Sequence, residues 1–156
     1  MRHLLSSTVA IWGGALAIAM GAPALQQTTY ESLNACERVP PADVAAALSG
    51  RALDHRPVNH KGLTAARCVY GIEVAGAPRA FVVWINPVGD FDELREASEP
   101  PVTDVNGVGD AAFATTDKDT KRVQLTARVR GKVTVQVTSE RMEWAQAIAR
   151  VALSKF

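Results

Sequence analysis

The sequence lacks most of the residue patterns that identify an enzyme. It has two cysteines, three histidines and only 6% aromatic residues among 156. There is no Cys-x-x-Cys spacing of the kind that lowers a thiol pKa. There is also no Gly-x-Ser-x-Gly nucleophile elbow. Neither a thiol redox protein nor a common type of hydrolase is therefore indicated.

The chain also lacks an excess of charge and a general excess of apolar residues. Lys and Arg total 17 against 16 Asp and Glu, a net charge of +1 that gives no reason to expect a nucleic-acid partner. Hydrophobic residues make up 47% and the mean hydropathy is +0.01, which fits neither a polytopic membrane protein nor a disordered chain. The length predicts one domain.

Residues 1–24 have the features of a secretory signal peptide. Arg2 precedes an apolar stretch, and Ala22 and Ala24 provide small residues before a cleavage site that would leave Leu25 as the new N-terminus. Two alternatives remain: an uncleaved membrane anchor over 9–25, and lipidation at Cys36 after the sequence Leu-Asn-Ala. Cleavage after Ala24 removes one basic residue, so the exported chain would have no net charge.

Cys36 and Cys68 are the only cysteines, and both lie in the part expected to be exported. Oxidising compartments favour disulfides, so we expect these two residues to be linked. The bond would close a loop of about 33 residues and stabilise the fold by about 3–4 kcal/mol. The sequence thus predicts a periplasmic or secreted protein stabilised by one disulfide.

Hydrophobic periodicity predicts short helices and strands in the exported chain. Pro40-Pro41 opens the first helix and Gly50 ends it, while Asp90 and Ser139 are expected N-caps of the later helices. The predicted elements are an irregular lead-in over 25–38, a helix over 42–48, a loop over 51–65, strands over 67–74 and 80–86, a helix over 91–98, a loop over 99–109, strands over 110–115, 122–130 and 132–138, and a helix over 140–154.

Short connections favour antiparallel pairing of these strands. The expected fold is therefore α+β: an antiparallel sheet of about five strands with helices packed on one side, forming a single domain over 39–156.

Three segments resemble small secreted or lipoprotein domains of unknown function from bacterial, mainly actinobacterial, cell envelopes. They are 36–50, the sequence Arg67-Cys68-Val69-Tyr70, and Gly107-Val108-Gly109-Asp110-Ala111-Ala112. The terminal helix matches too. The resemblance implies an envelope domain with a disulfide between Cys36 and Cys68, and it implies no activity.

Two groups of residues are candidate chemical sites. Asp54, His55 and His60 lie close together in sequence and could form a metal or catalytic site, but their spacing fits no known ligand pattern. Residues 107–112 match G-x-G-x-x-A, yet no strand precedes them and a strand rather than a helix follows. A dinucleotide loop needs both elements, so a turn that enters a strand is expected. We expect no cofactor and no metal.

Two further groups were considered as binding surfaces. Arg122, Arg128 and Arg130 share one face of a predicted strand and could form a patch for an anionic partner such as lipid headgroups or an acidic protein, or they could protect an edge strand. Tyr70, Phe81 and Trp84 could line an apolar pocket, or pack in the core.

Taken together, these observations favour a non-catalytic envelope module that binds a protein or a small apolar ligand. One alternative is a hydrolase or other enzyme that uses Asp54, His55 and His60. Another is an accessory subunit that retains the N-terminal apolar segment as a membrane anchor.

Overall fold

The computed structural model describes residues 33–58, 65–87, 89–129 and 131–156. The predicted signal peptide and its expected cleavage site between Ala24 and Leu25 lie outside the described residues, and so do His60 and Arg130. The elements, in chain order, are α1 (Ala35–Arg38), α2 (Pro41–Ala47), β1 (Arg51–Pro57), β2 (Ala66–Val74), β3 (Ala77–Asn86), α3 (Asp90–Glu96), β4 (Thr103–Asp104), β5 (Ala111–Thr116), β6 (Val123–Val129), β7 (Val133–Ser139) and α4 (Met142–Leu153).

The strands form one seven-stranded sheet in the order β1-β2-β3-β7-β6-β5-β4, and each neighbouring pair is antiparallel. The α+β class and antiparallel pairing are as expected, but the expectation of about five strands was wrong. The two additional strands, β1 and β4, lie in segments predicted to be loops. Every residue of both is exposed, so neither has the alternation of apolar and polar residues that predicts a strand.

One face of the sheet, here called the helix face, carries the apolar core. Cys68, Val83, Val137, Leu125 and Ala114 lie side by side across five strands on this face, and all are buried. Helix α4 covers β6 and β7, and the ring of Trp144 meets that of Phe81 edge-on, with centroids 5.9 Å apart. Helices α1 and α2 pack on β2 and contact β1 at the edge of the sheet. The alternation predicted for β2, β6 and β7 is therefore confirmed.

Helix α3 lies on the opposite face, which we call the polar face, so the expectation that all helices pack on one side was wrong. Phe113 pairs with Thr126 in the register and alternates with Ala112 and Ala114 of the helix face. The Phe91 ring of α3 packs against Phe113, with centroids 5.3 Å apart. The Phe113 side chain of β5 therefore gives Phe91 of α3 an apolar contact on the polar face.

Helix α2 is opened by Pro41, as expected, but both of its ends lie one residue earlier than the predicted range of 42–48. Pro41 is the first residue of the helix, but Ser49 rather than Gly50 adopts the positive φ, at 50°. The Gly50 N–H donates to Ala45 O at 2.8 Å and the Ser49 N–H to Ala46 O at 3.1 Å, which is a Schellman arrangement. Gly50 is needed for a different reason: a Cβ there would lie 2.5 Å from Glu73 O of β2.

The two predicted N-caps were wrong. Asp90 is the first helical residue of α3, Gly89 is its cap, and no side chain caps the helix. Ser139 is the last residue of β7 and is fully buried, so α4 begins three residues later at Met142, after an extended Arg141.

The disulfide between Cys36 and Cys68 is confirmed, with the two Cα atoms 5.2 Å apart. It joins β2 to α1, a helical turn in the segment that was predicted to be irregular. Asn34 caps this turn, since its side-chain oxygen accepts the N–H of Cys36 at 3.1 Å. The Tyr70 hydroxyl donates to Val39 O at 2.8 Å. Two bonds from β2 therefore hold the segment that leads into α2.

Candidate functional site

The polar face of β5, β6 and β7 presents neutral hydrogen-bonding side chains. In the register, Thr138 of β7 lies opposite Gln124 of β6, which lies opposite Thr115 of β5. Gln136 follows one step further along β7 on the same face. These four residues form the floor of a cleft. Their hydroxyl and amide groups can both donate and accept hydrogen bonds.

A row of buried polar groups supports this floor. The Asn86 amide donates to Gln136 Oε1 at 3.4 Å, and the Gln136 amide donates to Thr126 Oγ1 at 3.4 Å. All three residues are buried. A buried polar group that loses its partner costs about 1–3 kcal/mol. Rotation of the Gln136 amide would break these bonds, so they hold it in one orientation at the floor of the cleft.

Helix α3 and the segment that follows it form the first wall of the cleft. Arg128 fixes the helix to the sheet, because its guanidinium lies 4.3 Å from the Phe91 ring centroid and binds Asp92 at 3.0 Å. Leu94 and the segment 97–100 then face the floor. The Ser98 hydroxyl donates to Leu94 O at 2.6 Å, which holds the helix end in place.

The turn between β5 and β6 forms the second wall, and Asp117 organises it. Asp117 Oδ1 accepts the N–H of Thr120 at 2.6 Å, its hydroxyl at 2.8 Å, and the N–H of Asp119 at 3.0 Å. The bonds from Thr120 are the main reason that the pKa of Asp117 lies below its ordinary value. This carboxylate therefore serves the turn itself.

The floor and the two walls enclose a cleft of about 590 Å³, which we call the polar cleft. Its charges nearly balance, with Lys118 and Arg122 against Glu99, Asp117 and Asp119. An ion pair between the walls joins Lys118 to Glu99 at 3.8 Å, and both side chains are largely exposed. The Arg122 guanidinium donates to Ala80 O at 2.6 Å. Such a cleft suits a ligand that is polar and uncharged.

Two residues of the predicted basic patch lie on the same face but do not form a continuous positive surface. Arg128 is on the polar face of β6, and Arg122 immediately precedes the strand, with Gln124 and Thr126 of the same face between them. Arg128 is paired with Asp92, on α3, and its side chain is only 22% exposed. Arg122 lines the polar cleft instead.

The structure places Asp54 and His55 on β1, the exposed edge of the sheet. Asp54 lies opposite Gly71 and His55 opposite Tyr70. As neighbours on one strand they belong to opposite faces, and this separates their side chains. Within residues 33–58, 65–87, 89–129 and 131–156, no group of three His, Cys, Asp or Glu residues is placed to hold a metal ion.

The three aromatic residues considered for an apolar pocket are not brought together. Tyr70 and Phe81 are fully buried on the helix face, while Trp84 lies on the polar face under the Arg67 guanidinium, 4.6 Å from its ring centroid. The first two therefore belong to the core, the alternative left open above.

Residues 107–112 form a turn that enters β5, as expected. Gly109 has a φ of 62°, and a Cβ on it would lie 2.3 Å from Arg128 O. Both the conformation and the close approach require glycine at this position.

Sequence reasoning missed the floor of the polar cleft, although a signal was present. Gln124 alternates with Val123 and Leu125, and Gln136 and Thr138 alternate with the buried valines of β7. The parity of these polar residues places them on one face. Nothing in the sequence indicated that α3 would cross to that face and enclose them.

Comparison with protein-family models, with curated proteins and with solved structures finds no match to this chain. In the part of the chain that the structure describes, no helix is both long enough and apolar enough to cross a membrane. The Cys36–Cys68 bond is typical of proteins from an oxidising compartment.

Proposed function

We propose that the protein is an exported, non-catalytic binding module of the bacterial cell envelope whose ligand occupies the polar cleft. Export is supported by the N-terminal residues and by the disulfide. The observation that carries the binding function is the floor of four neutral hydrogen-bonding side chains enclosed by α3 and the β5–β6 turn.

The ligand we propose is small, uncharged and rich in hydroxyl groups, as a neutral saccharide is. The floor offers alternating amides and hydroxyls, which match groups that both donate and accept. The acidic group that organises the turn, Asp117, is already satisfied within it. The apolar ligand considered from the sequence has less support, because the aromatic residues that would have lined its pocket are in the core or on opposite faces.

The test is a titration of the ¹⁵N-labelled exported protein with maltose, cellobiose and their trisaccharides, followed by amide chemical shifts. We expect shifts confined to the floor and the walls of the polar cleft, with dissociation constants of about 1 mM or below. A negatively charged sugar such as galacturonic acid should bind more weakly. Shifts that spread evenly over the surface, or none with any neutral sugar, would contradict the proposed ligand class.

Two substitutions separate hydrogen bonding from shape. Gln124→Leu and Thr138→Val keep side-chain size but remove polar groups from the floor, and each should weaken binding about fivefold or more. The matched controls are Gln146→Leu on α4 and Thr103→Val on β4, both outside the polar cleft. Equal effects of the floor and control substitutions would argue against the polar cleft as the site.

A further inference from the structure

Strand β1 ends the sheet, and none of the described strands pairs with its outer edge. The sheet order places β1 beside β2 alone, and all seven residues of β1 are exposed. Among the described residues, the one large hydrophobic side chain found exposed, Leu53 at 44%, also lies on β1. An open edge of this length presents backbone groups that can pair with another strand.

The hydrogen bonds to β2 fix which backbone groups of β1 face outward. The Val58 N–H donates to Arg67 O at 3.0 Å, so Val58 and Arg67 form a hydrogen-bonded pair. Such pairs alternate along an antiparallel ladder, and the register is regular from Asp54 to Pro57. Asp54 and Arg56 therefore also face β2, whereas the N–H and C=O of His55 face outward.

The charges on β1 select one register for two copies of this strand around a twofold axis. Outward-facing residues must pair with each other, so the axis passes through a residue, which lies opposite its own copy. Near the middle of β1 this residue is Asp54, His55 or Arg56. An axis at Asp54 would place two carboxylates opposite each other, and an axis at Arg56 would place two guanidiniums opposite each other. Like charges directly across a ladder are destabilising. With the axis at His55, Asp54 of each copy lies opposite Arg56 of the other.

We propose that the protein forms a homodimer in which β1 pairs antiparallel with β1 of a second copy, with the twofold axis at His55. The two His55 residues exchange backbone hydrogen bonds at the axis. Two Asp54–Arg56 pairs flank it on the side of the polar face, at positions where the Cα atoms approach to about 4.5 Å. Pro57, which also lies on the outward-facing parity of the strand, has no N–H and so needs no acceptor. The two sheets join into one of fourteen strands, twice the seven of a single chain.

The charge pairs allow a test in which two defective variants restore each other. Asp54→Arg gives a chain with Arg at both positions, and Arg56→Asp gives a chain with Asp at both. Each should fail to pair with itself, because like charges face each other across the axis. An equimolar mixture of the two should form a heterodimer, since every Arg then lies opposite an Asp.

The measurement is sedimentation equilibrium of the disulfide-bonded protein from about 5 μM to about 500 μM, with circular dichroism to confirm folding. We expect a dimer for the unmodified protein, a rise in dissociation constant of about tenfold or more for each variant alone, and recovery in the mixture. Glu96→Arg on α3, at an exposed position far from β1, is the matched control and should remain dimeric.

A substitution that prevents folding is replaced by its uncharged counterpart, Asp54→Asn or Arg56→Gln, for which a smaller rise is expected. A protein that is monomeric throughout the concentration range would overturn the proposal and assign Arg56 and Pro57 to edge protection. A dimer that both charge reversals leave intact would also overturn it, because the contact would then lie elsewhere.

Discussion

Removal of the Cys36–Cys68 bond should destabilise the protein mainly by releasing its unfolded chain. The bond spans a sequence separation of 32 residues. The chain-entropy relation for a loop of this length gives about 3–4 kcal/mol at 25 °C. A domain of ordinary stability has about 5–15 kcal/mol in total, so this loss is a large fraction of it.

The structure also predicts where the effect will be seen. Helix α1 has four residues, too few to persist without tertiary contacts. The bond to Cys68 and the hydrogen bond from Tyr70 hold it to β2. Without the disulfide, we expect the Val39 amide, which donates to Ala35 O, to exchange with solvent at least about tenfold faster.

The assay is equilibrium unfolding in guanidinium chloride of Cys36→Ala, Cys68→Ala and the double variant. Each single variant already lacks the bond, so all three should lose about 3–4 kcal/mol and agree within about 1 kcal/mol. The slope of the unfolding transition should rise, since the released chain exposes more surface. A loss below about 1 kcal/mol, with an unchanged slope, would refute the reasoning and indicate that the unfolded chain stays compact without the bond.

Further predictions concern two single residues, Tyr70 and Gly109. Tyr70→Phe leaves Val39 O without its donor and should cost about 1–2 kcal/mol by the same assay. Burial raises the pKa of Tyr70, so this residue ionises in the unfolded state at a lower pH than in the folded state. The unmodified protein should therefore lose stability as the pH rises above about 10, and the Phe variant should lose less. Equal losses of stability in the two proteins would contradict this. Gly109→Ala should lower the thermal midpoint by several degrees, because the added Cβ would meet Arg128 O. Gly107→Ala is the control, and its effect should be smaller because the space around Gly107 is open. Similar shifts of the midpoint for the two variants would count against the steric argument.

The parts of the fold that were predictable are those in which burial alternates along a strand. In β2, buried residues alternate with half-buried ones over nine positions, and the sequence has the matching alternation. The hairpin from β2 to β3 was also predictable, because a glycine turn separates two apolar runs. The turn was expected at Gly76-Ala77-Pro78, whereas it lies at Ala75-Gly76, where both residues have positive φ. Strand β1 has no buried residue, so no hydrophobic period could reveal it.

The position of α3 depends on contacts between residues distant in sequence. Phe113 is the single large residue in a run of alanines and threonines, and its parity places it on the face of the sheet where Phe91 packs. Arg128 and Asp92 are 36 residues apart, so their pairing could not be inferred from spacing. For the same reason, the sequence left Arg128 as part of a possible anionic-partner patch or of a protected edge, whereas it binds α3 to the sheet.

The burial of polar groups on the polar face supports a role in recognition. The helix face already supplies an apolar core that spans the sheet. Thr126 and Gln136 are nevertheless buried on the other face, where apolar residues of similar size would avoid the cost of desolvation. A hydrogen-bonded row beneath an open floor is rigid, and rigid donors and acceptors lose little entropy when a ligand binds. If Gln136→Leu kept the fold and bound neutral sugars as well as the unmodified protein does, the row would be structural and the polar cleft would need another explanation.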